Sequence, residues 1–402
     1  MAAAQTTEIQ QTTAEPALVS RSRSFAVRVL LFVTPIAIVL ALPIYVLVLG
    51  GEMSPLDLDS VARRHEVTKE LVLFGPAYTN INKPYKVRAA TGAKARVLVV
   101  GSSRSMQFRA SFFPRDVSFY NAGGSVSKIG HLRKLLERFP KERQPEIVFV
   151  ALDQWFFNPK TEASFEAEWD AQVDAKNDVL GVFQSSWANV YADFVAGKFT
   201  LAQIASSRHE AIGINAIVLE NGFRNDGSYF YGAVTNHPEN PNADPDRRFA
   251  LSLARARAGS TRFEYASQVD AGVVVELGRF LDEAKSRGIH VVGFLTSYAP
   301  TVIGEMRAIG KSSYIEQIDP TVRPLFAARG FSFFDFTDLS PLGSSDQEFI
   351  DGVHASEYAH LRMVRAMLEA DSTLARYTSR AHIDALATSS KGPLALSDDR
   401  WR

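Results

Sequence analysis

Residues 29–51, VLLFVTPIAIVLALPIYVLVLGG, carry no charge between Arg28 and Glu52. About 20 apolar residues cross a hydrocarbon layer of about 30 Å, so this stretch is long enough to span one. It starts later than a signal peptide, has a longer apolar region, and ends in Leu49-Gly50-Gly51-Glu52 rather than at a small-residue cleavage site. The sequence therefore predicts an uncleaved transmembrane helix over 25–51. Arg21, Arg23 and Arg28 precede it and Glu52, Asp57 and Asp59 follow, so the positive-inside bias leaves the N-terminus cytoplasmic and exports the rest. Pro35 and Pro43 are expected to kink the span.

Of the 402 residues 46% are hydrophobic, and 44 Lys+Arg balance 44 Asp+Glu, which excludes a disordered tail or a nucleic-acid-coating protein. Cysteine is absent, so disulfides, thiolate metal sites and a cysteine nucleophile are excluded. No His-x-x-x-His or His-x-His pair and no phosphate-loop or dinucleotide motif occurs, and neither a metal nor a dissolved cofactor is expected.

Residues 1–24 read as a disordered cytoplasmic tail and 52–94 as a connecting region. From Arg96 the pattern sharpens into short apolar strands: Arg96–Gly101, Val117–Asn121, Ile147–Leu152, Ile289–Thr296 and Phe331–Phe336. Helical periodicity separates them at Val126–Phe139, Asp270–Arg287 and before Gly330, and follows at Ser356–Ala370. This alternation predicts an α/β fold, a three-layer α/β/α parallel sheet over 95–375. Residues of about 157–263 interrupt it as a largely helical insertion containing the polar stretch Asn236–Pro245 and a hairpin signal at Asp226–Gly232. Residues 376–402 read as a flexible tail.

Ligands of open α/β sheets gather at the carboxyl ends of the strands. Three ends are distinctive: Gly101-Ser102-Ser103-Arg104, Asn121-Ala122-Gly123-Gly124, and Asp351-Gly352-Val353-His354 before the last helix. A serine on a strand-to-helix turn, a histidine to take its proton and an aspartate to orient that histidine are the parts of an acyl-transfer site. Taken singly, Ser103 is a helix-capping turn serine, His354 a hydrogen-bonded core histidine and Asp351 a loop carboxylate. Their order and strand-end positions favour the joint reading.

This arrangement resembles the SGNH (GDSL-like) hydrolase superfamily, with its flavodoxin-like sheet. The resemblance implies Ser103 as nucleophile, His354 as base, Asp351 as orienting acid, and the Ser103 and Gly123 N–H groups as oxyanion donors. Gly-Ser-Ser in place of Gly-Asp-Ser looks like the membrane-linked branches that decorate envelope polymers by O-acetylation or D-alanylation. A periplasmic domain on a bacterial inner-membrane anchor is then implied, with a cell-envelope polysaccharide and a membrane-bound O-acyltransferase as partners. The alternatives are an anchored esterase of small or lipid esters and a non-catalytic scaffold.

The third block departs from the superfamily's Gly-x-Asn-Asp, reading Ala151-Leu152-Asp153-Gln154-Trp155. An ionised Asp153 cannot donate to an oxyanion, which leaves it a structural or substrate-facing carboxylate, with either Gln154 as substitute donor or an oxyanion hole built from backbone groups alone. Arg104 is a candidate partner for an acidic sugar or phosphate, and Trp155 either stacks on a sugar ring or belongs to the core.

Overall fold

The computed structural model describes residues 15–53, 58–67, 71–160, 166–175, 178–206, 210–236, 246–390 and 392–396. Five strands, β1 (Val97–Gly101), β2 (Phe119–Gly123), β3 (Ile147–Leu152), β4 (His290–Leu295) and β5 (Ser332–Asp335), form one parallel sheet in the order β2-β1-β3-β4-β5. The middle strands, His290 at the start of β4 apart, are apolar and buried on both faces, which is why they stand out as continuous runs.

The pleat sorts their side chains into two layers. Gly293 and Phe333 pair in register and face Phe326 of helix Tyr314–Ala327, where a Cβ on residue 293 would come within 2.3 Å of the Phe326 ring. On the opposite face Phe149 and Phe294 pack on Phe108, which meets His360 of helix Glu357–Ala370 edge-on. Helices therefore cover both sides. The helices begin where the chemistry favours a start, with Asp270 accepting from the Gly272 and Val273 N–H groups and Ser356 from that of Ala359.

The region read as a connector is folded. Leu73–Phe74 pairs with Ala211–Ile212 and Phe223, and Asn221–Phe223 pairs with Tyr229–Tyr231, giving a second, four-stranded sheet built from the connector and the insertion. Strands of two or three residues leave no alternation to read. The C-terminal stretch read as a flexible tail is also packed as far as Leu396. Helix Arg380–Thr388 buries Ile383, the Ser356 hydroxyl donates to the Pro393 carbonyl, and the Leu396 N–H donates to Glu357. Residues 1–14, the polar stretch 237–245 and residues 397–402 lie outside the described residues.

Helix Glu15–Leu49 begins inside the segment read as a tail. No single helix among the described residues is long and apolar enough to cross a membrane, but the arms Arg23–Ala37 and Val39–Leu49, meeting at 48°, are so together. Proline has no N–H, so Pro43 cannot donate to the Val39 carbonyl four residues earlier. The Tyr191 hydroxyl, from helix Val179–Val195 of the insertion, donates to that carbonyl instead. Val46 and Leu47 pack with Val190, Phe199, Ile204 and Ile214 in a small apolar cluster of their own.

Candidate active site

The strand order reverses direction between β1 and β3, and the carboxyl ends of those two strands open the crevice where such sheets bind ligands. Gly101 ends β1 at φ +154°, where a Cβ would meet that of Ala151 at 2.7 Å, and the chain turns directly into the short 3-10 turn Ser103–Ser105. Ser102 caps this turn through its hydroxyl, accepting from the Arg104 N–H. Ser103 Oγ then lies 2.8 Å from His354 Nε2, and His354 Nδ1 lies 2.6 Å from Asp351 Oδ2. Asp351 Oδ1 accepts the Val353 and His354 N–H groups at 2.8 Å each, closing the loop on itself. Burial pushes the Asp351 carboxyl up, but the His354 ring and these two N–H groups outweigh it and hold it well below the usual carboxylate range. Serine, histidine and aspartate thus form one hydrogen-bonded chain across 251 residues of sequence.

The four-residue loop is pinned from outside. Gly352 N–H donates to Asp246 at 3.3 Å, the Gly352 carbonyl accepts from Ala299 N, and the Val353 carbonyl accepts from Arg104 Nε at 3.0 Å. The Tyr231 ring, from the hairpin of the second sheet, sits 6.2 Å from the His354 ring. Neither Asp246 nor Tyr231 is singled out by the sequence reading. The hairpin signal at Asp226–Gly232 marks Tyr231's position on a turn, but nothing local places it at the site.

Three expectations are corrected. Gly123 is where the superfamily resemblance puts it, yet its N–H donates to Asn121 Oδ1 at 2.7 Å and is not free for an oxyanion. What requires glycine here is space, since a Cβ would lie 2.6 Å from Ser105 Oγ. Gln154 is buried, and its amide nitrogen donates to the Thr296 carbonyl and Thr337 hydroxyl at 2.6 and 2.9 Å, leaving neither hydrogen for a substrate. Arg104, 2% exposed, does not face a ligand. Its guanidinium donates to Gln154 Oε1, Ser297 O and Val353 O, approaches Asp153 at 3.5 Å, and lies over the Tyr298 and Trp155 rings. Trp155 is core, the second of its two readings, with the Arg104 and Arg262 guanidinium groups over its ring.

Asp153 is fully buried beneath the nucleophile turn, which makes it the structural member of its two readings. Oδ1 accepts from the Thr296 hydroxyl at 2.8 Å. The Ser102 hydroxyl is near enough to favour the ionised carboxyl but outside hydrogen-bond geometry, so Oδ2 has no partner among the described residues. Burial raises the Asp153 pKa, against the opposing pull of Arg104, Ser102, Thr296 and Arg262. Of the oxyanion donors expected, the Ser103 N–H remains, standing at the start of its turn where no intrahelical acceptor exists. No family model matches the chain, and no curated protein matches it.

Proposed function

We propose that the chain is a membrane-anchored SGNH-like serine acyltransferase or esterase acting on O-acyl groups, acetyl foremost, of a cell-envelope polysaccharide. The observation that carries this reading is the continuous Ser103–His354–Asp351 chain at the carboxyl end of β1. The strand order 2-1-3-4-5, shared with flavodoxin-like sheets, supports the fold half of it. Residues 25–51 serve as the inner-membrane anchor, with the domain exported.

In this mechanism Ser103 Oγ attacks the acyl carbonyl carbon while His354 Nε2 takes its proton, and the ionised Asp351 stabilises the imidazolium. The tetrahedral oxyanion accepts from the Ser103 N–H. Its collapse breaks the bond to the donor oxygen, which leaves with the proton from His354. An acceptor hydroxyl, of a sugar or of water, then gives its proton to His354 as it attacks the acyl-serine, and His354 passes that proton to Ser103 Oγ as the acyl–serine bond breaks. A membrane-bound O-acyltransferase would supply acyl groups made in the cytoplasm.

Treating the full chain in detergent with a serine-reactive fluorophosphonate and weighing the intact protein tests the proposal. One adduct is expected, absent from Ser103→Ala and His354→Ala. Turnover of simple acetyl esters with water as acceptor would select the esterase form.

A second reading, a non-catalytic scaffold of a polysaccharide modification complex, is favoured by one observation. The Gly123 N–H and Gln154 amide are both engaged, and a carboxylate replaces the third donor. Losing one donor costs about 10²–10³ in rate, so the site as built suits slow transfer better than rapid hydrolysis. Unchanged polymer acylation in a Ser103→Ala strain would select the scaffold.

A further inference from the structure

We infer that helix Val179–Val195 is a second membrane contact, lying in the outer-leaflet lipid against the outer arm of the N-terminal helix. The inference rests on the reading of residues 25–51 as a membrane span and is independent of the chemistry at Ser103.

Seven large apolar side chains outside the N-terminal helix are exposed among the described residues, and five of them, Leu180, Trp187, Phe194, Val195 and Leu201, belong to this helix and the short one after it. Leu180, Trp187 and Phe194 are 65%, 43% and 37% exposed and recur every seventh residue, a step that returns to the same helix face within about 20°. Of the exposed polar residues, Ser185 and Asn189 lie on the opposite side, and the uncharged Gln184 borders the stripe. The helix carries one charged residue, Asp193, which accepts from the Tyr78 hydroxyl at 2.8 Å and pairs with Lys198 at 2.7 Å. An apolar stripe with a tryptophan at its centre and no free charge along it suits contact with lipid acyl chains.

The occupant of that stripe is argued from its neighbour. Helix Val179–Val195 runs beside Val39–Leu49, whose own Val39, Leu40, Ile44, Val48 and Leu49 are exposed, so the two apolar surfaces are continuous. Val39 lies ten residues before Leu49, about 15 Å down the helix, or about half the hydrocarbon thickness. The contact from Tyr191 to the Val39 carbonyl is informative at that depth. Water would satisfy the carbonyl that Pro43 leaves without a donor, whereas in lipid it costs several kcal/mol unless the protein supplies one. The protein supplies one, from the helix assigned to the same layer.

Trp187 provides the test. The full chain is placed one copy per nanodisc of phosphatidylcholine and phosphatidylglycerol, with bromine at shallow or deep acyl carbons, and the wild-type minus Trp187→Phe difference isolates its emission. Loss of most of that emission with bromolipid, at least as strong for the deep bromines as for the shallow ones because the Trp187 ring lies 6.4 Å from that of Tyr191, and little loss with aqueous iodide, is the expected result. Quenching by iodide alone would overturn the assignment. Protection from both quenchers would also overturn it, in favour of a protein cover, with disulfide linkage of an Ala188→Cys variant in native membranes identifying a second copy. Release of the full chain from membranes by alkaline carbonate would sink the span itself, and fluorophosphonate labelling of Ser103 separates either failure from that of the proposed chemistry.

Discussion

Arg104 links the two loops that must meet for any serine chemistry here. It follows Ser103 directly, and its side chain reaches the carbonyl next to His354 while approaching the Asp153 carboxyl beneath. With both partners almost fully buried, removing one member leaves the other charge uncompensated, a change that costs about 3–5 kcal/mol in buried pairs. Arg104→Ala is therefore expected to lower the unfolding free energy by that amount in urea titrations. A loss below about 1 kcal/mol would mean that Asp153 is protonated and that no ion pair exists to break. Asp351 gives a separate kinetic prediction. Asp351→Asn preserves size but removes the charge that fixes the imidazole, and the rate of Ser103 labelling is expected to fall by about 10³–10⁴ with the fold intact. An unchanged rate would show that His354 needs no orienting carboxylate.

At the level of elements, Asp371 fastens the entry edge of the sheet. It sits at the end of helix Glu357–Ala370, and its Oδ2 lies 3.1 Å from His290 Nε2 at the start of β4 and 2.7 Å from the Ser332 hydroxyl at the start of β5. Burial opposes ionisation, but hydrogen bonds from His290, Ser332 and Thr373 hold this carboxyl well below its usual range. A carboxyl depressed in the folded state adds stability that is complete above its unfolded pKa of about 3.9 and is lost as the pH falls below it. Asp351 shares that sign. The urea midpoint is expected to drop between pH 5 and pH 3, and to drop less in Asp371→Asn; parallel curves would exclude Asp371 as a contributor. The three central strands and the crossover helices were legible because strands buried on both faces are near-continuous apolar runs and the helices keep a 3.6-residue period, while the edge strands Phe119–Gly123 and Ser332–Asp335, with polar Asn121, Ser332 and Asp335, showed only through the alternation. The second sheet was not legible, since Leu73–Phe74 and Ala211–Ile212 are too short to show a pattern and pair across 138 positions of chain. Ser103, Asp351 and His354 were readable from their places at strand ends. The inward turn of Arg104 and Gln154 was not, because residue type does not say which strand-end side chains the next layer covers.

At the scale of the whole molecule, the described residues at the end of the apolar helix are hydrogen-bonded directly to the second sheet's side of the active-site half. The Gly50 carbonyl accepts from Gly213 N, and buried Glu52 accepts the Ala77 and Ile214 N–H groups on Oε1 and the Tyr78 N–H on Oε2. From there the second sheet runs through Leu73–Phe74 and Asn221–Phe223 to Tyr231 beside His354. Under the proposed function, such a joint would keep Ser103 at a constant height and heading over the bilayer, which a transferase fed by a membrane partner needs. Glu52→Ala leaves three N–H groups without their acceptor, at about 1–3 kcal/mol for each that stays buried, so the joint is expected to open before the sheet does. In hydrogen-exchange measurements on the full chain, the amides of Ala77, Tyr78 and Ile214 should then exchange much faster while those of Ile147–Leu152 stay protected. Equal acceleration in both places would mean that the joint and the sheet unfold as one unit, and that the height of Ser103 is set by the fold itself rather than by this carboxylate.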